Sequence, residues 1–255
     1  MRNYLQNMNW EEFERKSETG NRTVIIPVGS VEQHGYHLPL GTDTYVALTL
    51  AEDAAEQTNT VITPPLWFGW SPHHMVLPGT VTIRPEILIE LLYDVISSLQ
   101  EHGFTRFVLI NGHRIVNVPW MQIAAERAQR LLKVKVYIFD PAYMSKNIVK
   151  ELGFGPLGHA DEIETSHMMY RYPELVFLER AKDNFIAGAN LNSTDPAYPD
   201  DTLCYVPSTK SQMQERAQVS GGTSGEPTKS SLQKGKTYHE HVVNNLVRVI
   251  KDFQE

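Results

Sequence analysis

The chain has 255 residues, of which 41% are hydrophobic, and its 23 basic and 30 acidic side chains give a formal net charge of −7. This length fits one large α/β domain or two small ones, while the acidic balance lacks the basic footprint of a nucleic-acid-binding protein. No apolar run is long enough to cross a membrane, and the amino-terminal stretch has no apolar segment typical of a signal peptide, so we expect a cytoplasmic protein. A single cysteine, Cys204, excludes an internal disulfide and is predicted to be a small buried side chain.

Helices and strands alternate in the first half of the chain. In order, the pattern predicts helix Asn9–Ser17, strand Thr23–Gly29, helix Thr44–Gln57, strand Val61–Gly69, helix Pro85–His102, strand Phe104–Asn111, helix Asn117–Leu132 capped by Asn117, and strand Lys133–Phe139. The strands are mostly continuously apolar, as expected of strands covered on both faces. Pro64 and Pro65 are expected to interrupt the second one or to place it at an edge. This alternation predicts a mostly parallel sheet with helices on both faces.

The remaining segments have less regular patterns. The turn-rich stretch Ser71–Val81 predicts a loop, Ala160–Arg171 predicts a helix, and Lys182–Thr202 predicts a long polar surface loop. A glycine-rich turn, Val219–Pro227, leads into a predicted final helix, Thr228–Phe253. No repeat, low-complexity segment or linker divides the sequence, so we expect one domain over residues 1–255.

A short polar turn after the first predicted strand concentrates acidic and histidine side chains. Glu32 and His34 stand two residues apart, so an extended backbone directs both to one face, and a Pro-Gly turn can bring Asp43 back toward them. His113 follows another predicted strand, and sites in parallel sheets lie at the carboxyl ends of the strands. Carboxylates and imidazoles together bind Zn²⁺, Mn²⁺ or Fe²⁺, so the pattern predicts a metal site; the alternative is a hydrogen-bonded turn.

Histidines collect in the predicted loops and at the strand ends. Any one of them could be a surface or capping histidine, but loops held by a rigid scaffold are where functional residues concentrate. Six of the ten histidines lie in such positions: His34, His37, His73, His74, His113 and His159.

Five motifs in this order resemble those of the creatininase (creatinine amidohydrolase) family. They are EQHGYHLPLGTD at Glu32–Asp43, SPHHMVLPGT at Ser71–Thr80, LINGH at Leu109–His113, GHADEIETS at Gly158–Ser166 and SGGTSGEPTKSSLQKG at Ser220–Gly235. The resemblance implies a layered α/β/α sandwich, an oligomer, two metal ions in the pocket and hydrolysis of small cyclic amides or related C–N bonds. It also implies kinship with formamide-cleaving enzymes and with a hydrolase that opens the ring of a keto-inositol.

The resemblance also implies a ligand set, from which this sequence departs at one position. Glu32, His34, Asp43 and His113 match the metal ligands of the family, with Asp43 in the bridging place. The glutamate that completes the set in creatininase is here Ile115, which cannot bind a metal. We expect Glu162 to replace the missing carboxylate; the alternative is an exposed glutamate favoured by a helix dipole.

Further residues receive roles from the same resemblance. His159 matches a histidine thought to carry protons, a task that an imidazole can perform near neutral pH. His37 and Glu164 are expected to orient ligands rather than bind metal. Arg114 beside the metal would favour a carboxylate, phosphate or hydroxylated substrate, or would instead pair with an acidic neighbour and hold the loop. The candidate substrate-binding residues are therefore Ser71, His73, His74 and Arg114, although the Ser71–His74 turn could also be a simple capped loop.

These expectations define a function and its alternatives. Two divalent ions, zinc first and manganese or iron as alternatives, would share Asp43 and a bridging hydroxide that attacks the carbonyl of a small-molecule substrate. The first hypothesis is hydrolysis of a small cyclic amide or a related C–N bond, and the second is ring opening of a cyclic ketone such as a keto-inositol by C–C cleavage. A third is a non-catalytic metal-binding protein on the same fold.

Overall fold

A computed structural model describes residues 3–18, 21–184 and 208–254 of the chain. Cys204 and most of the predicted loop Lys182–Thr202 lie outside the described residues. Among the described helices, none is long and apolar enough to span a lipid bilayer.

A four-stranded parallel sheet forms the centre of the described structure, in the order β2-β1-β3-β4. The strands are β1 Thr23–Val28, β2 Val61–Ile62, β3 Arg106–Asn111 and β4 Lys135–Phe139. The α-helices are α1 Trp10–Glu18, α2 Thr42–Thr58, α3 Pro85–Glu101, α4 Val118–Leu132, α5 Pro141–Met144, α6 Lys146–Glu151, α7 Glu162–Arg171, α8 Lys210–Ser220 and α9 Leu232–Gln254. The predicted alternation through Phe139 is confirmed.

Alternating side chains of the strands enter two separate cores, one on each face of the sheet. Ile25 of β1 and Val108 of β3 pack in one core with α2 and α9, whereas Val24 and Phe107 pack in the other with α3 and α4. Successive strand residues point to opposite faces, so both faces must be covered by helices. The predicted three-layer α/β/α sandwich with a parallel sheet is therefore confirmed.

Several local elements differ from those predicted from the sequence. The second strand lies at the sheet edge and is interrupted before Pro64 and Pro65, which have no N–H to continue the ladder; it ends at Ile62, so only the predicted end at Gly69 is wrong. The predicted Ser71–Val81 loop contains a 3-10 helix, Pro72–Val76, and the short helices α5, α6 and α8 were not predicted. Asn117 occupies the position before α4 without capping it, because its side chain binds elsewhere: it donates to the Gly29 carbonyl at 3.0 Å.

Backbone pairing brings the carboxyl ends of β1 and β3 together. Val28 is in register with Asn111, and the N–H of Gly112 donates to the Val28 carbonyl at 2.8 Å. The first turn of α2 packs directly against this junction: a Cβ at Gly112 would stand only 1.9 Å from the Asp43 carbonyl oxygen. Glycine is thus required for α2 to start beside the strand ends, and that start carries the Asp43 side chain to the same edge.

Candidate metal centre

Three side chains from the strand-end segments form what we call the sheet-edge group: Glu32, Asp43 and His113. The Asp43 Oδ2 atom lies 3.0 Å from His113 Nδ1, and Glu32 Oε2 lies 3.3 Å from His113 Nε2. All three are buried, and each offers a ligand atom within 4.8 Å of the others. Glu32 follows β1, His113 follows β3 and Asp43 opens α2, so the sheet register determines their meeting.

Three other side chains form a second cluster, here called the α7 group: His34, His159 and Glu164. His34 Nε2 lies 3.8 Å from Glu164 Oε2 and 3.2 Å from Asp43 Oδ1, so Asp43 borders both groups. The His34 and His159 rings lie 4.4 Å apart between centroids. Asp161 caps α7 by accepting the Glu164 N–H at 2.9 Å, which sets where the helix begins.

Gln33 connects two further histidines to Glu32. The Gln33 side-chain amide lies 2.7 Å from His74 Nδ1, and its backbone carbonyl lies 2.6 Å from His159 Nε2. These contacts aim the remaining ring nitrogens at Glu32 Oε1, which is 3.4 Å from His74 Nε2 and 3.5 Å from His159 Nδ1. Glu32, His74 and His159 thus form a third set with ligand atoms within 4.8 Å.

The donor atoms fit a divalent cation. Glu32 Oε1, His34 Nε2 and Asp43 Oδ2 are buried and, despite their close neighbours, make no hydrogen bond of good geometry within the described residues, a costly arrangement unless another group binds them. Bonds of 2.0–2.1 Å to a tetrahedral zinc place neighbouring ligand atoms about 3.3 Å apart. The contacts between donors on Asp43 and the two histidines are 3.0 and 3.2 Å. The spacing of the donor atoms and their unmet hydrogen-bonding capacity both match a metal centre.

Charge balance at the centre also calls for a cation. Burial disfavours the charged imidazolium of His34, but Asp43 and, less strongly, Glu164 and Glu32 outweigh it and raise the pKa of His34 to about 10. Burial is likewise outweighed at His113, where Glu32 and Asp43 raise the pKa to about 9. Without a metal, protons on these rings supply the positive charge that the carboxylates need, and a bound cation would displace those protons.

Three other histidines near the centre, His159, His74 and His73, have lowered pKa values, which favours their neutral form. Burial, and then the charge of His34, holds the pKa of His159 well below its ordinary value. Burial, reinforced by His159 and His73, does the same for the pKa of His74. The pKa of His73 is lowered to about 4 by burial, with His113 and Arg216 as further causes. Neutral imidazoles can bind a metal or accept a proton.

Glu162 does not reach the centre. Its carboxylate is buried but is bound by Lys234 Nζ at 2.5 Å and by the Gly155 N–H at 3.0 Å, and it belongs to none of the three sets of candidate ligands found in the described residues. The carboxylate that does reach the centre from α7 is Glu164. The geometry therefore gives no support to Glu162 as the replacement ligand.

Arg114 is buried and pairs with acidic side chains of the segment that begins α7. Its Nη2 atom lies 2.6 Å from Glu164 Oε1 and 3.0 Å from Asp161 Oδ2, and the side chain is buried. This is the alternative in which Arg114 pairs with acidic neighbours. His37 also contacts α7, with Nε2 2.9 Å from Thr165 Oγ1, beside Glu164 and outside the candidate ligand sets.

Ser71 and His73 lie beside the centre, as expected of substrate-pocket residues. Ser71 Oγ is 3.4 Å from His113 Nε2 and 2.7 Å from Ser30 Oγ, and the His73 ring stacks on that of His113 with centroids 6.2 Å apart. Sequence reasoning missed Ser30, Gln33 and Asp161. Asp161 had a recognisable signal, since an aspartate directly before a helical pattern predicts an N-cap.

A large cavity of about 1000 Å³ lies elsewhere, between the amino-terminal segment, α1 and the second half of α2. Tyr4, Lys16, Glu52 and Asp53 are among its lining residues, and none of the predicted site residues lines it. The cavity is thus separate from the candidate metal centre.

Comparison with known proteins shows which family this chain is similar to. The family model "Creatininase: Creatinine amidohydrolase" matches residues 6–250. A 3-dehydro-scyllo-inosose hydrolase of Thermotoga maritima is 29% identical over 264 residues, covering 99% of this chain and 84% of that protein. A creatinine amidohydrolase of Pseudomonas putida is 28% identical over 199 residues, covering 71% of this chain and 76% of that protein. A manganese form of creatininase gives a TM-score of 0.81 and a Zn-Zn mutant form 0.80, each 26% identical over 98% of both chains.

Proposed function

The chain belongs to the creatininase family and is a metal-dependent hydrolase, and we propose that it cleaves a small cyclic amide or a related C–N bond at a centre of two divalent ions. One observation carries this proposal: Asp43 lies between His34 and His113, with one carboxylate oxygen toward each ring at 3.2 and 3.0 Å. A carboxylate placed in this way could bridge two cations held by the groups on either side.

We assign the first ion to the sheet-edge group, Glu32, Asp43 and His113, and the second to His34, Asp43 and Glu164. Glu164 here takes the place expected for Glu162, because it approaches His34 whereas Glu162 is bound by Lys234. When bound, the ions would lower the pKa of a water molecule to near neutrality and polarise the substrate carbonyl. We take zinc as the first candidate and manganese as the second, since creatininase structures with each metal share this fold.

His159 is the proposed proton carrier. Its Nε2 atom is fixed by the Gln33 carbonyl at 2.6 Å, so this nitrogen bears the hydrogen of the neutral ring and Nδ1 faces the centre. Because burial keeps the pKa of His159 low, Nδ1 is free to accept a proton from the attacking water. The same nitrogen then delivers that proton to the departing nitrogen of the substrate. Ser71, His73 and His74 would line the substrate side of the centre.

A second candidate is hydrolytic opening of a cyclic ketone such as a keto-inositol. Similarity to the 3-dehydro-scyllo-inosose hydrolase over 99% of this chain favours it. Water would again add to a ring carbonyl, but a C–C bond would break, and His159 would protonate the departing carbon. Both candidates need the same metal ligands, so the ligands alone do not choose between them.

Metal analysis and a substrate panel test the proposal together. Protein purified without chelator should contain about two divalent ions per chain, and it should hydrolyse either lactams or keto-cyclitols. Asp43→Ala should lose both ions and all measurable turnover, because this one carboxylate borders both groups. Asp94→Ala, which removes an exposed carboxylate on α3, should change neither. An Asp43→Ala protein that keeps its metal and its turnover contradicts the proposal, while ions without any turnover would favour a non-catalytic metal-binding protein.

Assembly and domain organisation belong to the same proposal. We propose that residues 1–255 form one hydrolase domain that assembles into a homo-oligomer. Aromatic side chains beside the site support association, since Tyr36, Trp67 and Phe68 are exposed in the described structure. Size-exclusion chromatography with light scattering would measure the assembly, and a monomer at micromolar concentration would contradict it.

A further inference from the structure

A chain of hydrogen bonds outside the candidate metal centre joins α7 to α2 and α9. We call it the histidine network, and its residues are Asp53, His167, Arg171 and His239. The Asp53 Oδ2 atom accepts from Arg171 Nη1 at 2.6 Å and from His239 Nε2 at 2.9 Å. The other nitrogen of that ring, His239 Nδ1, lies 2.8 Å from His167 Nε2. Both histidines are buried, and neither belongs to a candidate ligand set in the described residues.

The carboxylate in the network gives its hydrogen bonds a direction. Burial would raise the pKa of Asp53, but the hydrogen bonds from His239 and Arg171 outweigh burial and lower that pKa. An ionised carboxylate only accepts, so the hydrogen of the neutral His239 ring lies on Nε2, and Nδ1 accepts from His167 Nε2. The same His167 nitrogen lies 3.3 Å from Thr49 Oγ1 on α2. Side chains of three helices are thus joined in one orientation.

The helices α2 and α7 both begin at the metal centre and pack against each other along their length. Their first turns carry Asp43 and Glu164, whose nearest oxygens lie 3.2 and 3.8 Å from His34 Nε2. Further along the same two helices, Asp53 binds Arg171. One pair of helices therefore carries two proposed ligands of the second ion at one end and the histidine network at the other.

On α7 the network lies on the face that carries Glu164. At about 100° per residue, His167 and Arg171 lie about 60° and about 20° around the helix axis from Glu164. Glu162 lies on nearly the opposite side. The rotation that satisfies the network is therefore the rotation that turns Glu164, and not Glu162, toward the centre.

Close packing of α9 on α7 leaves this rotation to be decided by other contacts. A Cβ at Gly235 would stand 1.8 Å from the Ser166 carbonyl oxygen, so glycine lets the two helices approach closely one turn before His239. This backbone contact sets the distance between the helices. The buried hydrogen bonds add a rotational constraint, because another rotation would leave their donors and acceptors unpaired.

We propose that Asp53 and His239 are positioning residues: through Arg171 and His167 they set the rotation of α7 and hold the Glu164 carboxylate toward the second metal ion. The proposal rests on the proposed function, since it takes Glu164 as a ligand of that ion. A network with a purely structural role would stabilise the fold without distinguishing between the two ions.

Stepwise titration of the metal-free protein with zinc, followed by calorimetry, tests this role. His239→Phe keeps a ring but removes both hydrogen bonds, and it should weaken binding of the second ion about 10-fold, as for residues that orient metal ligands. Affinity for the first ion, bound by the sheet-edge group, should not change. His239→Asn retains an acceptor for His167 and should restore part of the lost affinity. The matched control is His241→Phe on the same helix, where His241 contacts Asn245 of α9, and it should change neither affinity.

A second variant keeps the test decisive if His239→Phe does not fold. Arg171→Met removes the other bond to Asp53 from a side chain that is only partly buried, and it should weaken the second ion in the same direction but by less. Melting temperatures of the metal-free proteins are measured alongside. A lower melting temperature with both zinc affinities unchanged would overturn the proposal, and so would an equal loss of affinity for both ions. Failure of the proposed function looks different: second-ion binding would still depend on His239 while no member of the substrate panel is hydrolysed.

Discussion

The two ligand groups of the centre are built by different means. The sheet-edge group follows directly from the pairing of β1 with β3, and the glycine at position 112 lets α2 start against the strand ends. The α7 group depends on loops: Glu164 is held by Arg114 and by the Ala160 N–H at 2.7 Å. Sheet register leaves little freedom, whereas loop contacts can be exchanged. The loop-built side also contains Ile115, where the sequence resemblance had implied a liganding glutamate.

Backbone conformation shows the same contrast. Two non-glycine residues near the α7 group, Ile115 and Ala160, have left-handed φ values of 67° and 49°. That conformation is unfavourable for an L-residue, above all for a β-branched one, and is retained only where surrounding contacts impose it. Asp140 supplies one such contact by accepting the Ile115 N–H at 2.8 Å. The left-handed conformation of Ile115 comes directly after Arg114, whose guanidinium contacts Asp161 and Glu164. The strained backbone and the salt bridge therefore belong to the same loop.

The largest effect that separates the two groups is expected from Glu164→Gln. The variant should lose about one of two ions, the one assigned to His34, Asp43 and Glu164, and its turnover should fall about 1000-fold, since a bound metal contributes several kcal/mol to transition-state stabilisation. Metal analysis and kcat measure the two losses. Glu162→Gln is the matched control two residues away, and it should keep both ions because its carboxylate binds Lys234. The reverse result would restore Glu162 as the ligand.

The comparison of Glu162 with Glu164 also shows where sequence reasoning stops. Residues two apart on a helix lie about 200° around its axis, so only one of them faces the centre. Which one does so depends on how α7 is rotated against the centre. The cap by Asp161 fixes where the helix begins, but the rotation is set by tertiary packing that the residue pattern does not give. The pairing of Arg114 could not be predicted from the sequence either, because its partner Asp161 is 47 residues away in the chain.

The sheet-edge group, by contrast, was accessible from the sequence. Continuous apolar runs predicted β1 and β3, and the rule that sites lie at the carboxyl ends of parallel strands then predicted that Glu32 and His113 meet. The three-layer sandwich followed from the same alternation. Helix α8 was missed because it is polar and lacks apolar periodicity.

A smaller effect, on stability, should come from Arg114→Gln. Removing the guanidinium leaves Asp161 and Glu164 as buried carboxylates without their cation, which typically costs about 3–5 kcal/mol. Denaturant unfolding of the metal-free protein measures this loss. Arg127→Gln removes an exposed arginine paired with Glu90 and should leave stability unchanged. If Arg114→Gln is as stable as the wild type, Arg114 does not hold the α7 group in place.

The smallest effect per residue is expected from pH, and it separates the metal-free from the metal-loaded protein. In the metal-free protein the folded-state pKa values of His113 and His34 are raised to about 9 and about 10. A raised pKa contributes stability that is fully present below the unfolded value, about 6.5, and is lost as pH rises through the folded value. Each of the two histidines should therefore reduce the stability of the metal-free protein by roughly 2 kcal/mol between pH 7 and pH 9.

Metal-loaded protein should not show this loss, because the cation replaces the two protons and its binding strengthens as pH rises. Denaturant midpoints at both pH values, with and without zinc, measure the difference. The variant Glu164→Gln sharpens the test, because it removes one of the charges that raise the pKa of His34, whereas the main causes of the raised pKa of His113 are Glu32 and Asp43. In the metal-free variant, the part of the stability loss that comes from His34 should therefore begin at a lower pH, while the part that comes from His113 should begin at the same pH as in the wild type. Equal pH profiles for the metal-free and metal-loaded proteins would mean that the histidines of both groups do not exchange protons for metal.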